Sequence, residues 1–112
     1  MNVVQIKLKS GDNIVAVISG QDDKKNLIRI MRPYRIITFI DEDSRQQVML
    51  FPWAEMMDPD VEIPLREEDI LCLGDAREEA KRYYAMHLRD ALEEEKANEP
   101  FDLAAWEPET QN

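Results

Sequence analysis

From Val3 to Ile40 the chain is β-type sequence relieved only by two short polar turns, and this constrains the fold more than any other feature. "VVQIKLK", residues 3–9, sets Val4, Ile6 and Leu8 against Gln5, Lys7 and Lys9, the period of two of a half-buried strand. Ser10-Gly11-Asp12-Asn13 is turn chemistry, with Gly11 free to take a positive φ. "NIVAVISG" then carries apolar residues on both faces, as a central strand of a closed or two-layered sheet does. A second turn holds Asp22-Asp23-Lys24-Lys25-Asn26, and a third apolar run, "LIRIMRPYRIITFI", occupies residues 27–40.

Proline lacks the amide hydrogen of a ladder, so Pro33 predicts a bend or break in that run, near a strand edge. Asp41-Glu42-Asp43-Ser44 reads as the next hairpin tip. "RQQVMLFPWAEMM" returns as a strand bent at Pro52, "DPDVEIPLREED" reads as an irregular connection, and "ILCLG" closes the β region at residues 70–74. Five strands in about seventy residues, two of them long and bent, predict a mainly β fold: a small, strongly bent antiparallel barrel with edges open to strand addition.

From Asp75 the period changes to helical, with Ala76, Ala80, Tyr83, Tyr84, His87, Leu88, Ala91 and Leu92 on one stripe. Asp75 and Glu78 have the spacing of an N-cap and its box partner. The expected organisation is a barrel over 1–76, a C-terminal helix over 77–97 packed on or beside it, and an acidic, flexible tail over 98–112. Phe101, Leu103 and Trp106 stand within that tail, which reads equally as a short motif docking on a partner or a neighbouring subunit and as a solubilising, disordered end that keeps RNA off one face.

The net charge is −10, and it is uneven: residues 1–84 hold 12 basic and 16 acidic side chains, residues 85–112 hold 2 and 8. General affinity for polyanions is disfavoured, but the acidity lies mostly at the C-terminal end. No apolar run approaches a membrane span, and the first residues lack the pattern of a signal peptide. A single cysteine, Cys72, excludes an internal disulfide framework, so a reducing cytoplasm is the expected setting.

Chemistry-bearing residues are sparse. His87 is the sole histidine and has no second ligand at metal spacing, so packing is its expected role. Cys72 reads as a buried small hydrophobe, Trp53 as a subunit-interface anchor, and Tyr83 and Tyr84 as residues packing the helix on the barrel. The acidic clusters at 41–43 and 58–60 lack a cation-loop pattern. No nucleophile, base and oxyanion set can be assembled, so no catalysis, metal or cofactor is expected. Arg29, Arg32 and Arg35 around Tyr34 form either a secondary basic surface for single strands or the solvated face of a bent strand, and the second reading is preferred.

The stretch "IKLKSGDNIVAVISGQDDKKNLIRI" resembles the first motif of the Sm and Sm-like proteins, the family that includes bacterial Hfq. Gly11, Ala16, Asp22 and Asn26, followed by Leu27, fall at the motif's glycine, small, aspartate and asparagine positions. "LCLGD" resembles the end of the second motif, with Gly74 as its glycine. The sequence as a whole also resembles the Sm-like proteins of marine phage and ocean-metagenome origin, which implies a host cytoplasm. The resemblance implies a five-stranded bent barrel assembled into a homo-oligomeric ring. Its pore is implied to be lined by the loops of Asp22–Asn26 and Gly74–Asp75, binding single-stranded RNA, or DNA, without catalysis. An asparagine amide matches the edge of an unstacked base, and Lys24 and Lys25 would face phosphates.

Three features depart from the pattern. Lys24 stands where many members carry a base-stacking aromatic, a contact worth about 1–3 kcal/mol. Leu73 stands where arginine is usual, and the helix follows the barrel instead of preceding it. A competing reading therefore stays open: a protein-interaction or assembly adaptor that uses the barrel to oligomerise and the helix and tail to recruit partners. Asp22–Asn26 is then a plain solvated turn.

Overall fold

A computed structural model describes residues 2–54 and 57–97. The elements are β1 (Val3–Leu8), β2 (Asn13–Asp22), β3 (Leu27–Ile40), β4 (Gln46–Pro52), β5 (Ile63–Arg66), a short 3₁₀ turn (Glu67–Asp69), β6 (Ile70–Asp75) and α1 (Glu78–Ala97). All strand pairs are antiparallel in the order β4-β3-β2-β1-β6, with β5 also on β3. The β1–β2 turn closes through Gly11 N–H to Leu8 O and Leu8 N–H to Asp12 O, both 2.9 Å. Gly11 sits there at φ 104°, where a side chain would be strained.

β3 runs unbroken through Pro33, so of the bend or break expected there the break does not occur. The residue is absorbed by a bulge. Pairing with β2 shifts between Val17↔Met31 and Val15↔Tyr34, and Arg32 takes φ 49° inside the shift. β3 also changes partner at this corner. Leu27–Ile30 pair with β5 and Tyr34–Ile40 pair with β4. β4 and β5 thus share one place in the sheet. The five strand positions of the bent fold are filled by six segments.

β5 corrects the reading of residues 58–69 as wholly irregular. "IPLR" is too short to show a period, and its strand geometry comes from pairing with β3.

Alternation sends side chains to two cores. Inside the bend, Val4, Ile6, Leu8, Ile14, Ala16, Ile28, Ile30 and Leu65 pack together. On the opposite face, Val3 and Val15 meet Ala76, Tyr84 and Leu88, with Val17, Tyr34, Ile36 and Leu50 around them. β2 faces apolar neighbours on both sides, which explains its continuous hydrophobic run. α1 is therefore part of the folded core. Tyr84 is 0% exposed and its hydroxyl donates to Arg32 O at 2.8 Å, across the β3 corner. The buried stripe is narrower than the periodicity implies, because Leu92 stays exposed and Tyr83, partly exposed, reaches the sheet through its hydroxyl, which donates to Val48 O at 3.2 Å.

Asp75 does not cap the helix. It ends β6 opposite Val4, Ala76 N–H bonds Val3 O at 3.2 Å, and the helix starts at Glu78.

Among the described residues no ladder joins β5 to β6, so both carry an unpaired outer edge. Leu71 on β6 is 62% exposed, and Leu73 beside it is exposed as well. Val48, Met49 and Phe51 are exposed along β4. No helix among the described residues is long and apolar enough to cross a membrane.

Candidate nucleic-acid interface

The β2–β3 turn is organised by its own aspartate. Asp22 Oδ1 accepts the N–H groups of Lys24 (3.1 Å) and Lys25 (3.2 Å), and Oδ2 lies 3.7 Å from Arg29 Nη2. This Asx-type closure fixes the backbone. Asp22 thus orders the main chain rather than the asparagine amide. Asn26 takes φ 54°, a left-handed conformation that asparagine tolerates better than most residues. The Asn26 side-chain amide and the two ammonium groups are left outward: Lys24, Lys25 and Asn26 are all exposed.

The segment that meets this turn is the β5–β6 connection. Glu67 N–H donates to Asn26 O at 2.9 Å, and Lys25, Asn26 and Leu27 share an open recess with Arg66, Glu67 and Glu68. Arg66 Nη1 is 3.5 Å from Glu68 Oε1, with both side chains mostly exposed. A surface pair of this kind contributes about 0–1 kcal/mol, so the guanidinium is easily redirected.

Gly74 is not in this group. It lies within β6 opposite Gln5, and Leu73 lies opposite Ile6. A Cβ at Gly74 meets nothing within 4 Å and its φ is ordinary, so the backbone does not require glycine there either. Arg66 was missed in the sequence because "LREED" looked like a polar connection. The usable signal was an arginine directly before an acidic turn and an apolar strand.

The basic stripe around Tyr34 dissolves on folding. Arg29 faces Asp22, and only Arg35 is exposed without a carboxylate partner among the described residues. Arg32 is turned under α1, its side chain only 13% exposed. It pairs with Asp60 (2.8 Å) and bidentately with Glu95 (3.0 and 3.3 Å). The Glu95 hydrogen bond, outweighing burial, holds this guanidinium firmly protonated. Tyr34 packs edge-on against Tyr84, centroids 5.8 Å apart. The three arginines do not form a common surface.

Trp53 also departs from its expected role. It turns into the inner core and donates Nε1–H to Asp12 Oδ2 at 3.2 Å. Cys72 is exposed on β6 rather than buried, because β6 is an edge strand. His87 packs between Tyr83 (tilted, centroids 4.7 Å apart) and Tyr34 (edge-on, 6.0 Å), with Nδ1 3.2 Å from Tyr83 O.

The acidic clusters are occupied by their own chain. Asp41 accepts from the N–H groups of Arg45 and Asp43 and from Gln47 Nε2, each at 2.9 Å. These bonds, the Arg45 amide first, hold its carboxyl below the usual range. Asp58 accepts the Asp60 N–H, and Asp60 is taken by Arg32. The tail at 98–112, with Phe101, Leu103 and Trp106, lies outside the described residues.

No curated protein matches the chain. The model of the Sm_like domain family matches residues 5–85, from the first strand to the middle of α1. With most of the 112 residues covered and the strongly bent antiparallel sheet in place, the chain belongs to the Sm-like family.

Proposed function

We propose that this protein assembles into a homo-oligomeric ring that binds single-stranded RNA through the Asp22–Asn26 turn, with a non-catalytic role in RNA processing or regulation. The Sm-like fold generally forms oligomeric rings that bind RNA. The observation that carries the reading is the Asp22-closed turn holding the Asn26 amide, Lys24 and Lys25 outward beside Arg66. The amide is a donor and acceptor for a base edge, and the lysines serve phosphates. Arg66 offers beside Asn26 the cation that the resemblance to the second motif implies at Leu73, and its planar guanidinium is a surface on which a base can stack. This offsets part of the loss from Lys24 in the aromatic position.

The unpaired edges of β5 and β6, with Leu71 and Leu73 exposed, support assembly by strand addition. Repetition around a ring raises avidity without new contacts. Within the family we place the chain with the Sm-like proteins of marine phage and ocean-metagenome origin, acting in a host cytoplasm, on whole-sequence resemblance.

The test is fluorescence anisotropy with uracil-rich and adenine-rich single-stranded RNA, and a DNA of the same sequence, at physiological salt. The variants are Asn26→Gly, Lys25→Ala and Arg66→Ala. Asn26→Gly deletes the amide and keeps the left-handed backbone, which Asn26→Ala does not. Each variant should weaken binding about five- to tenfold with unchanged assembly mass. Unchanged affinity in all three removes the site assignment.

A second reading, an adaptor without nucleic-acid binding, is favoured by one observation: α1 leaves Tyr83, Met86 and Leu92 exposed on a strongly acidic chain. Partner capture from host lysate that is lost on removing residues 98–112, with no RNA binding, would decide for it.

A further inference from the structure

A second concave site lies on the side of the molecule where α1 crosses the β3 corner, and it is distinct from the Asp22–Asn26 turn. It is a cavity of about 280 Å³ between residues 57–61, β3 and the last turns of α1. Its walls are apolar, formed chiefly by Pro33, Met57, Pro59, Val61, Ile63 and Ala91. Tyr34 also lines it, and the Tyr34 hydroxyl has no hydrogen-bond partner among the described residues. The charged members are Arg32, Asp58, Glu94 and Glu95.

The charges are not equivalent. Arg32 is matched by Asp60 and Glu95, so the one cation lining the cavity is already satisfied. Glu94 has no ion-pair partner among the described residues, and Asp58 spends one oxygen on the Asp60 N–H. The lining therefore keeps unpaired negative charge among the described residues. Burial, with Glu94 and Glu95 nearby, pushes the Tyr34 phenol above its ordinary value, so it remains a neutral hydroxyl available to a ligand.

We propose that this cavity receives an arginine or lysine side chain from a basic segment of a partner protein. Only a long cationic side chain satisfies both halves of the site, laying its methylene stem on the proline, valine and alanine walls while its head meets Glu94, Asp58 and the Tyr34 hydroxyl. An anion meets like charge. A purely apolar side chain gains the walls but leaves the carboxylates and the Tyr34 hydroxyl without a partner. The volume is just below the ~300–1,000 Å³ of ordinary small-molecule sites, which suits one side chain. The excess negative charge of the whole chain attracts the same class of partner.

The full chain is titrated with acetyl-Gly-Arg-Gly-amide and acetyl-Gly-Lys-Gly-amide, and with the leucine and glutamate analogues as controls, following backbone amides by NMR. The basic probes should shift Tyr34, Ala54, Val61 and Ala91 saturably, with a dissociation constant of about 1 mM, while the leucine and glutamate probes do not. The double variant D58N/E94Q, both positions being exposed, should keep its circular dichroism spectrum and bind the arginine probe about fivefold or more weakly. Ala91→Leu, which fills the cavity and leaves every charge in place, should abolish the shifts. Equal binding of the leucine probe, undiminished arginine binding in D58N/E94Q, or no saturable shift with either basic probe would overturn the proposal.

Discussion

Tyr84 joins the helix to the barrel, and its removal in two steps measures how much of the fold α1 carries. The side chain is fully buried between β1, β2 and β3, its ring meets Tyr34 edge-on at 5.8 Å, and its hydroxyl donates to Arg32 O at 2.8 Å. Tyr84→Phe keeps the ring and strips the Arg32 carbonyl of this donor. A net hydrogen bond is worth about 1 kcal/mol and an orphaned buried acceptor about 1–3 kcal/mol, so a loss of about 1–3 kcal/mol is expected. Tyr84→Ala also opens a cavity, at about 3–5 kcal/mol, and forfeits an aromatic pair worth about 0.5–1.5 kcal/mol. A domain of this size is stable by about 5–15 kcal/mol, so the alanine variant should lose a third to most of its stability. Urea denaturation followed by far-UV circular dichroism and by tryptophan fluorescence reads both steps. The two probes should give one coincident transition, with midpoints falling in the order wild type, Tyr84→Phe, Tyr84→Ala. A Tyr84→Ala chain within about 0.5 kcal/mol of wild type, or helix loss preceding the fluorescence change, would refute the account of α1 as core.

Further outcomes follow from the same geometry. Arg32→Met removes two ion pairs whose partners are partly solvated, and should cost about 1–2 kcal/mol in urea denaturation, with the loss shrinking at high salt. Gly11→Ala, at φ 104°, should destabilise by more than about 1 kcal/mol, whereas Gly74→Ala, with ordinary φ and open space, should stay within about 0.5 kcal/mol. Burial raises the phenol pKa values of Tyr84 and Tyr34 above the ordinary 10.0. Stability is therefore fully present below about pH 10 and is lost as pH rises beyond it, since the unfolded chain ionises first. A urea-midpoint series across alkaline pH should show this fall, and Tyr84→Phe should flatten it.

The sequence was most legible where packing is local. β1, β2 and β3 declare themselves by alternation and by two turns whose chemistry is visible in Gly11 and in Asp22–Asn26. The helix is equally plain from its stripe, although its start at Glu78 depends on β6 holding Asp75 in the sheet. What stayed hidden depends on partners distant in sequence. β5 is a strand because Leu27–Ile30 lie alongside it, and Arg32 is spent because Asp60 and Glu95 reach it from 28 and 63 positions away. Gly74 drew attention as a glycine before aspartate at a strand end, yet the turn beside Asn26 falls eight residues earlier, at Arg66 and Glu67, where no glycine marks it. Pro33 signalled a corner correctly in kind, but the bulge with Arg32 at positive φ lets the strand continue through it.

The central claim is that single-stranded RNA is read at the Asp22–Asn26 turn and Arg66. Ultraviolet crosslinking of the purified protein to a 4-thiouridine-labelled uracil-rich strand, with adducts mapped by mass spectrometry, tests it most directly. The account predicts adducts on Lys24, Lys25, Asn26 or Arg66, lost when unlabelled strand competes. Adducts confined to Gly74, to Arg35 or to α1, or no competed adduct at all, would contradict it.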